Sequence, residues 1–139
     1  MRKLLILSCA LCAGILMFSL SSGTAFAASA VPVPPEYVYN PKLGPRHDFC
    51  TWSSDEPVIN NKQLKRRTVD FRGPCARHDL CYDRSANKAG CDNQFKRDLD
   101  QQCDFTFQGD TTGYLDYCRG RAQAYYAGVV AGGTPGAAQ

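Results

Sequence analysis

The chemistry-bearing residues concentrate in two short segments. One is Cys75-Ala76-Arg77-His78-Asp79-Leu80-Cys81-Tyr82-Asp83, and the other is Cys91-Asp92-Asn93-Gln94-Phe95. A histidine oriented by a buried carboxylate is a general base. The carboxylate fixes the imidazole tautomer and stabilises the imidazolium that forms. His78 and Asp92 are the pair for that role. Asp79 follows His78 directly, so on a helix it points about 100° away. It cannot hold the same imidazole and is placed instead to bind a cation beside it. A hard ion held by carboxylate and carbonyl oxygens outside the cell points to Ca2+. No serine or cysteine nucleophile stands out, because the cysteines read as disulfide partners. A water activated by His78, with Ca2+ polarising an ester, fits these residue types. His47, the other histidine, also precedes an aspartate, but a lone loop histidine is ordinarily just exposed. Cys75-x-x-His78-x-x-Cys81 has spacing open to zinc, which secretion and an even cysteine count oppose.

Helices must position these groups. Gly73-Pro74 predicts the start of a first helix, with proline at its first position. On it, Cys75, His78, Asp79 and Tyr82 fall within an arc of about 100°. A second helix is predicted over residues 90–103. Asp92, Phe95, Leu99 and Cys103 share its apolar stripe, within about 80°. A carboxylate on that stripe needs a partner, because burying it unpaired is costly. Capping of the helix start is the plainer role for Asp92. A short turn near residues 85–88 makes the two helices antiparallel. Facing residues in such a hairpin have nearly constant sums of sequence numbers. Cys81 with Cys91, and His78 with Asp92, give sums that differ by two. One hairpin can therefore satisfy both pairs, and a Cys81–Cys91 bridge would hold Asp92 near the imidazole. A third helix is predicted over residues 113–130, with Tyr114, Leu115, Cys118, Ala122, Tyr125 and Val129 as its stripe. No segment shows a period-2 pattern, so the predicted fold is mainly α. It is a small disulfide-stapled domain with an antiparallel catalytic helix pair and a third, C-terminal helix.

The rest of the chain bounds what this domain can be. It has 139 residues, 44% hydrophobic and 21% charged, about one domain with globular composition. Arg2 and Lys3 precede an apolar run from Leu4 to Leu20, and Ala25-Phe26-Ala27 and Ala28-Ser29-Ala30 follow. That pattern predicts a secretory signal peptide over residues 1–27, with cleavage after Ala27 or Ala30. Two small-residue sites favour removal over a retained anchor. No later run is long enough to span a bilayer. Removal leaves 14 basic and 13 acidic residues, a balance that excludes nucleic acid as a partner. It also removes Cys9 and Cys12. The six that remain read as three disulfides in a secreted chain, among Cys50, Cys75, Cys81, Cys91, Cys103 and Cys118. Counting cannot choose their pairing. Residues 28–45 are Pro-rich and predict an extended, solvated lead-in. Residues 46–73 read as loop. Their basic cluster, Lys62, Lys65, Arg66 and Arg67, reads as a solvated face, and with Trp52 it is the candidate for membrane-surface contact. Residues 131–139 predict a frayed tail.

C-x-R-H-D-x-C-Y followed by C-D-x-x-F resembles secreted phospholipase A2. The likeness is closest to the short bacterial and fungal enzymes, which carry D-x-x-F-x-x-D-[LM] on the second helix. Here that motif reads Asp92-Asn93-Gln94-Phe95-Lys96-Arg97-Asp98-Leu99. Cys118 and Ala124-Tyr125-Tyr126 look like their last helix. The resemblance covers about residues 47–130, within a catalytic domain over 46–130. It implies His78 as base, Asp92 as its partner and Asp79 as a Ca2+ ligand. Asp48-Phe49-Cys50 resembles the bacterial calcium segment, which implies the Asp48 carboxylate and the Phe49 carbonyl as further ligands. Tyr82 would support the Asp92 network. The cysteine frame implies Cys50–Cys75 and Cys103–Cys118. The chain departs from the short form at Cys81 and Cys91, which resemble a bridged pair of the animal enzymes, and it lacks the animal glycine-rich calcium loop. The resemblance implies a secreted monomer that hydrolyses the sn-2 ester of glycerophospholipids at a membrane or micelle surface. The alternative is a non-catalytic lipid- or protein-binding, toxin-like module on the same scaffold. Such modules typically lack the base or the metal carboxylate, and this chain has both.

Overall fold

The computed structural model describes residues 29–60 and 65–133. The predicted signal peptide, Lys62 and residues 134–139 of the predicted tail lie outside the described residues. The chain runs through a 3-10 turn at Pro41–Leu43, strands β1 (Val58–Ile59) and β2 (Arg67–Thr68), and helices α1 (Arg72–Arg84), α2 (Lys88–Thr106) and α3 (Tyr114–Gly132). The fold is mainly α, as expected. The one addition is the β1–β2 ribbon, antiparallel with Val58 opposite Thr68 and Ile59 opposite Arg67. Two-residue strands are too short to display a period of two.

Local chemistry sets the helix ends. The Asn87 side chain accepts the Gly90 amide at 3.0 Å and caps α2, so that helix begins before the predicted residue 90. The Asp70 carboxylate accepts the Arg72 amide at 2.9 Å at the start of α1. Pro74 thus falls inside the first turn, where a missing N–H costs no helical bond. The Asp110 carboxylate accepts the Gly113 and Leu115 amides at 3.0 and 3.3 Å and organises the entry to α3. That helix continues through residues 131 and 132, and the Gly133 amide closes it on the Val129 carbonyl at 2.8 Å. The predicted tail therefore starts later than residue 131.

Helix α2 lies between the other two. Phe95, Leu99 and Cys103 on its stripe are buried, with Cys118 and Ala122 of α3 and Phe71 and Phe107 beside the helix ends. Three disulfides tie these parts together. Cys50–Cys75 joins the segment before β1 to α1, Cys81–Cys91 joins α1 to α2, and Cys103–Cys118 joins α2 to α3. Each restricts the unfolded chain, by roughly 2–4 kcal/mol. No helix among the described residues is long and apolar enough to cross a membrane.

The Pro-rich lead-in is largely exposed, as its composition predicts, but it is anchored to the helices rather than freely extended. Val31 is completely buried. Its amide and the Ser29 hydroxyl both donate to Gln102 Oε1, at 3.2 and 2.9 Å. Gln102 is buried on α2, and its amide oxygen requires donors that the helix itself does not supply. Gly73 makes room for this strap. A Cβ at position 73 would stand 1.7 Å from the Val31 carbonyl oxygen, a backbone atom that cannot swing aside. Gly73→Ala is therefore expected to displace the lead-in and destabilise the fold by about 1–3 kcal/mol. A lowered urea midpoint with faster hydrogen exchange at Val31 is the expected reading. An unchanged midpoint would mean the strap adds nothing to the fold.

Candidate active site

The α1–α2 hairpin brings the predicted pair together. His78 Nε2 lies 2.9 Å from Asp92 Oδ1. In the neutral imidazole this contact requires the proton on Nε2, donated to the carboxylate, which leaves Nδ1 as the free base. Tyr82 sits one turn after His78 on α1, and its hydroxyl donates to the same Asp92 oxygen at 2.5 Å. The other oxygen, Oδ2, accepts the Lys88 ammonium at 2.6 Å. Asp92 is thus a buried carboxylate with both oxygens satisfied, and α2 is capped by Asn87 instead.

These contacts set the protonation states. Burial opposes ionisation of Asp92, but hydrogen bonds from Lys88, Tyr82 and His78 outweigh it and hold its carboxyl below the usual range. Burial pushes the His78 imidazole below its ordinary pKa, against the pull of Asp92 and with a push from Lys88. Burial and the bond to Asp92 push the Tyr82 phenol up, so it remains a donor. A neutral imidazole facing an ionised carboxylate is the resting state a general base needs. The rings of Tyr82 and Phe95 flank the imidazole, with centroids at 4.1 and 4.6 Å, and fix its plane.

His78 and Asp79 open on a cavity of about 340 Å3. Its far wall is α3, where Ala124, Gly128 and Gly132 recur every four residues beside the bulkier Tyr125 and Val129. Trp52 stands at its edge, 95% exposed.

Asp79 faces different surroundings from Asp92. It is buried, and its Oδ2 accepts the Tyr37 hydroxyl at 2.7 Å. Tyr37 Oη in turn accepts the Phe49 amide at 2.9 Å, so the lead-in links the candidate ligand Asp79 to the candidate calcium segment. Burial pushes the Asp79 carboxyl up to about 8, and the negative charges of Asp48 and Asp83 add to the shift. The Tyr37 bond and Arg46 oppose it without overcoming it. Burial and the bond to Asp79 push the Tyr37 phenol up as well.

Comparison with family models, curated proteins and solved structures finds no match.

The residues therefore carry the functional reading alone. Among the described residues, no three acidic, histidine or cysteine side chains converge. A cation at Asp79 would need carbonyl and water oxygens to complete its shell, a donor set of the kind Ca2+ takes. A buried carboxylate with a strongly raised pKa and like charge nearby is a group a cation would relieve, so Asp79 fits the role. Asp48 and Phe49 fit less completely. Asp48 Oδ1 lies 2.7 Å from the Thr51 hydroxyl, and the Phe49 carbonyl accepts the Thr51 amide at 3.2 Å. Their oxygens face the turn at Thr51 rather than forming a closed set with Asp79. Phe49 holds a left-handed backbone (φ 61°), stacked between Tyr37 and Tyr39 with centroids at 5.1 and 4.7 Å. Loop His47 does not join the site; its Nδ1 contacts the Val38 carbonyl at 3.1 Å. Sequence reasoning missed Tyr37 and Lys88. The only trace of Lys88 was its spacing four residues before Asp92, a pattern that surface helices share.

Proposed function

We propose that the protein is a secreted, Ca2+-dependent phospholipase A2 that hydrolyses the sn-2 ester of glycerophospholipids. The observation that carries this reading is the buried His78–Asp92–Tyr82 network, opening on a cavity that Asp79 also lines. The regiochemistry and the lipid come from the resemblance of C-x-R-H-D-x-C-Y and C-D-x-x-F to that family. The apolar α3 wall suits an acyl chain, and Trp52 at the rim suits a lipid surface.

In this mechanism His78 Nδ1 takes a proton from a water as its oxygen attacks the ester carbonyl carbon. Asp92 stabilises the imidazolium and, by holding Nε2, keeps Nδ1 aimed into the cavity. Tyr82 donates a second hydrogen bond to Asp92 Oδ1 and helps hold that carboxylate ionised. When the C–O bond breaks, His78 returns the proton to the leaving glyceryl oxygen. The products are a fatty acid and a lysophospholipid. Ca2+ bound by Asp79, with the Asp48 carboxylate and the Phe49 carbonyl as the further ligands the resemblance implies, would supply electrostatic stabilisation of the oxyanion.

The test is hydrolysis of mixed micelles of phosphatidylcholine labelled at the sn-2 chain, with Ca2+ and with chelator. Labelled fatty acid released only with Ca2+ is the expected result. Release that survives chelation would overturn the metal role. No release from folded protein would favour a binding module.

A further inference from the structure

We propose that Lys88 is a positioning residue: its ammonium fixes the second oxygen of Asp92 and locks it to the end of α3, the helix that walls the cavity. The role in turnover rests on the phospholipase reading; the lock itself does not.

Three contacts support it. Lys88 Nζ lies 2.6 Å from Asp92 Oδ2, 2.7 Å from the Val129 carbonyl and 3.4 Å from that of Val130. An ammonium has three donors, and here they face a carboxylate on one helix and carbonyls on another. Those carbonyls belong to the last turn of α3; the Val129 oxygen also accepts the Gly133 amide at 2.8 Å and meets Lys88 with its second lone pair. They also form its negative end, where a cation is favoured. The contact with Asp92 spans four residues on one helix face, yet it is not an ordinary surface pair. Asp92 is buried, and the Lys88 side chain is only 31% exposed.

His78 and Tyr82 both use Oδ1, so neither fixes the carboxylate against pivoting about that oxygen. Lys88 fixes the other end. It also registers Val129, Gly128 and Gly132, which line the cavity, against the catalytic hairpin. The fit at this end is close. A Cβ at Gly133 would stand 2.6 Å from the Tyr82 hydroxyl, so α3 ends directly on the Asp92 network. No disulfide reaches this part of α3, because Cys103–Cys118 clamps the other end of the helix.

The test compares Lys88→Met, which keeps length and loses charge, with Lys88→Arg, which keeps the charge. Lys88→Met is expected to lower kcat roughly ten- to a hundredfold with KM within about twofold, the cost of a misplaced catalytic group. Lys88→Arg is expected to recover most of the loss. Hydrogen exchange at Gly133, whose amide closes α3 on Val129, is expected to speed up about tenfold in the Met variant alone. In the unaltered protein, the Lys88 ammonium protons are expected to exchange slowly with water. Rapid exchange of those protons would overturn the lock even if Lys88→Met fails to fold. Wild-type kcat in the Met variant, or equal losses in Met and Arg, would overturn the positioning role. If wild type releases no fatty acid but the exchange results hold, the phospholipase reading fails and the lock stands.

Discussion

His78→Ala is expected to lower Ca2+-dependent release of the sn-2 fatty acid by about a thousandfold, within the range for loss of a general base. Nothing else among the described cavity residues is an imidazole, and the Thr51 and Tyr125 hydroxyls there are bonded to the loop at Pro45 and Asp48 and to the Ser54 carbonyl. Tyr82 donates to Asp92, and Tyr37 donates to Asp79. The loss is expected in kcat, because an alanine leaves the α3 wall of the cavity untouched. The fold is expected to survive, since Cys81–Cys91 holds the α1–α2 hairpin whatever residue occupies position 78. Asp92→Asn is expected to cost less than His78→Ala, because an amide can still meet Nε2 but no longer stabilises the imidazolium. Release rates on labelled mixed micelles, with circular dichroism of each variant, check both. A His78→Ala variant within tenfold of wild type would remove His78 from the reaction.

The α1–α2 hairpin was legible in the sequence because two independent constraints converged on one register. The Cys81–Cys91 bridge and the His78–Asp92 bond demand the same antiparallel pairing, and the structure has both. The stripe of α3 was legible for a similar reason, since Tyr114, Cys118 and Ala122 recur at helical spacing and are buried. The anchoring of the largely exposed lead-in was missed. Proline content reports local backbone freedom, whereas its path is set by Gln102, a buried side chain some seventy residues away. Tyr37 was invisible for the same reason: nothing near it in sequence says that its hydroxyl will meet Asp79. Lys88 was hidden by ambiguity, because the same spacing describes Lys96 and Asp100, a second part-buried pair on α2. What was legible is periodic or cross-linked. What was missed depends on contacts between distant segments.

Asp79→Asn is expected to abolish Ca2+ binding and, with it, turnover. The pH dependence of wild type gives this claim its sharper form. Without the ion, burial and the neighbouring charges of Asp48 and Asp83 raise the Asp79 carboxyl to about 8. Ca2+ must displace that proton, since the ligand is the carboxylate. Apparent affinity should therefore fall about tenfold for each pH unit below about 8 and level off above it. Calorimetry in buffers of different ionisation enthalpy should show close to one proton released per ion at pH 7, and almost none at pH 9. Stability has the corresponding sign. The folded pKa lies above the unfolded one, so between about pH 4 and pH 8 the folded state binds more protons than the unfolded state. Asp79's contribution to ion-free stability therefore falls as pH rises across that window. The gain from Ca2+ should grow over the same range, because the ion binds the folded carboxylate that the proton vacates. Asp79→Asn should remove both trends, leaving a flatter pH profile and no thermal shift with the ion. A thermal shift with Ca2+ that persists in the Asn variant would put the ion elsewhere. The carboxylate would then be a buried acid that the fold keeps protonated, donating its proton rather than holding a metal.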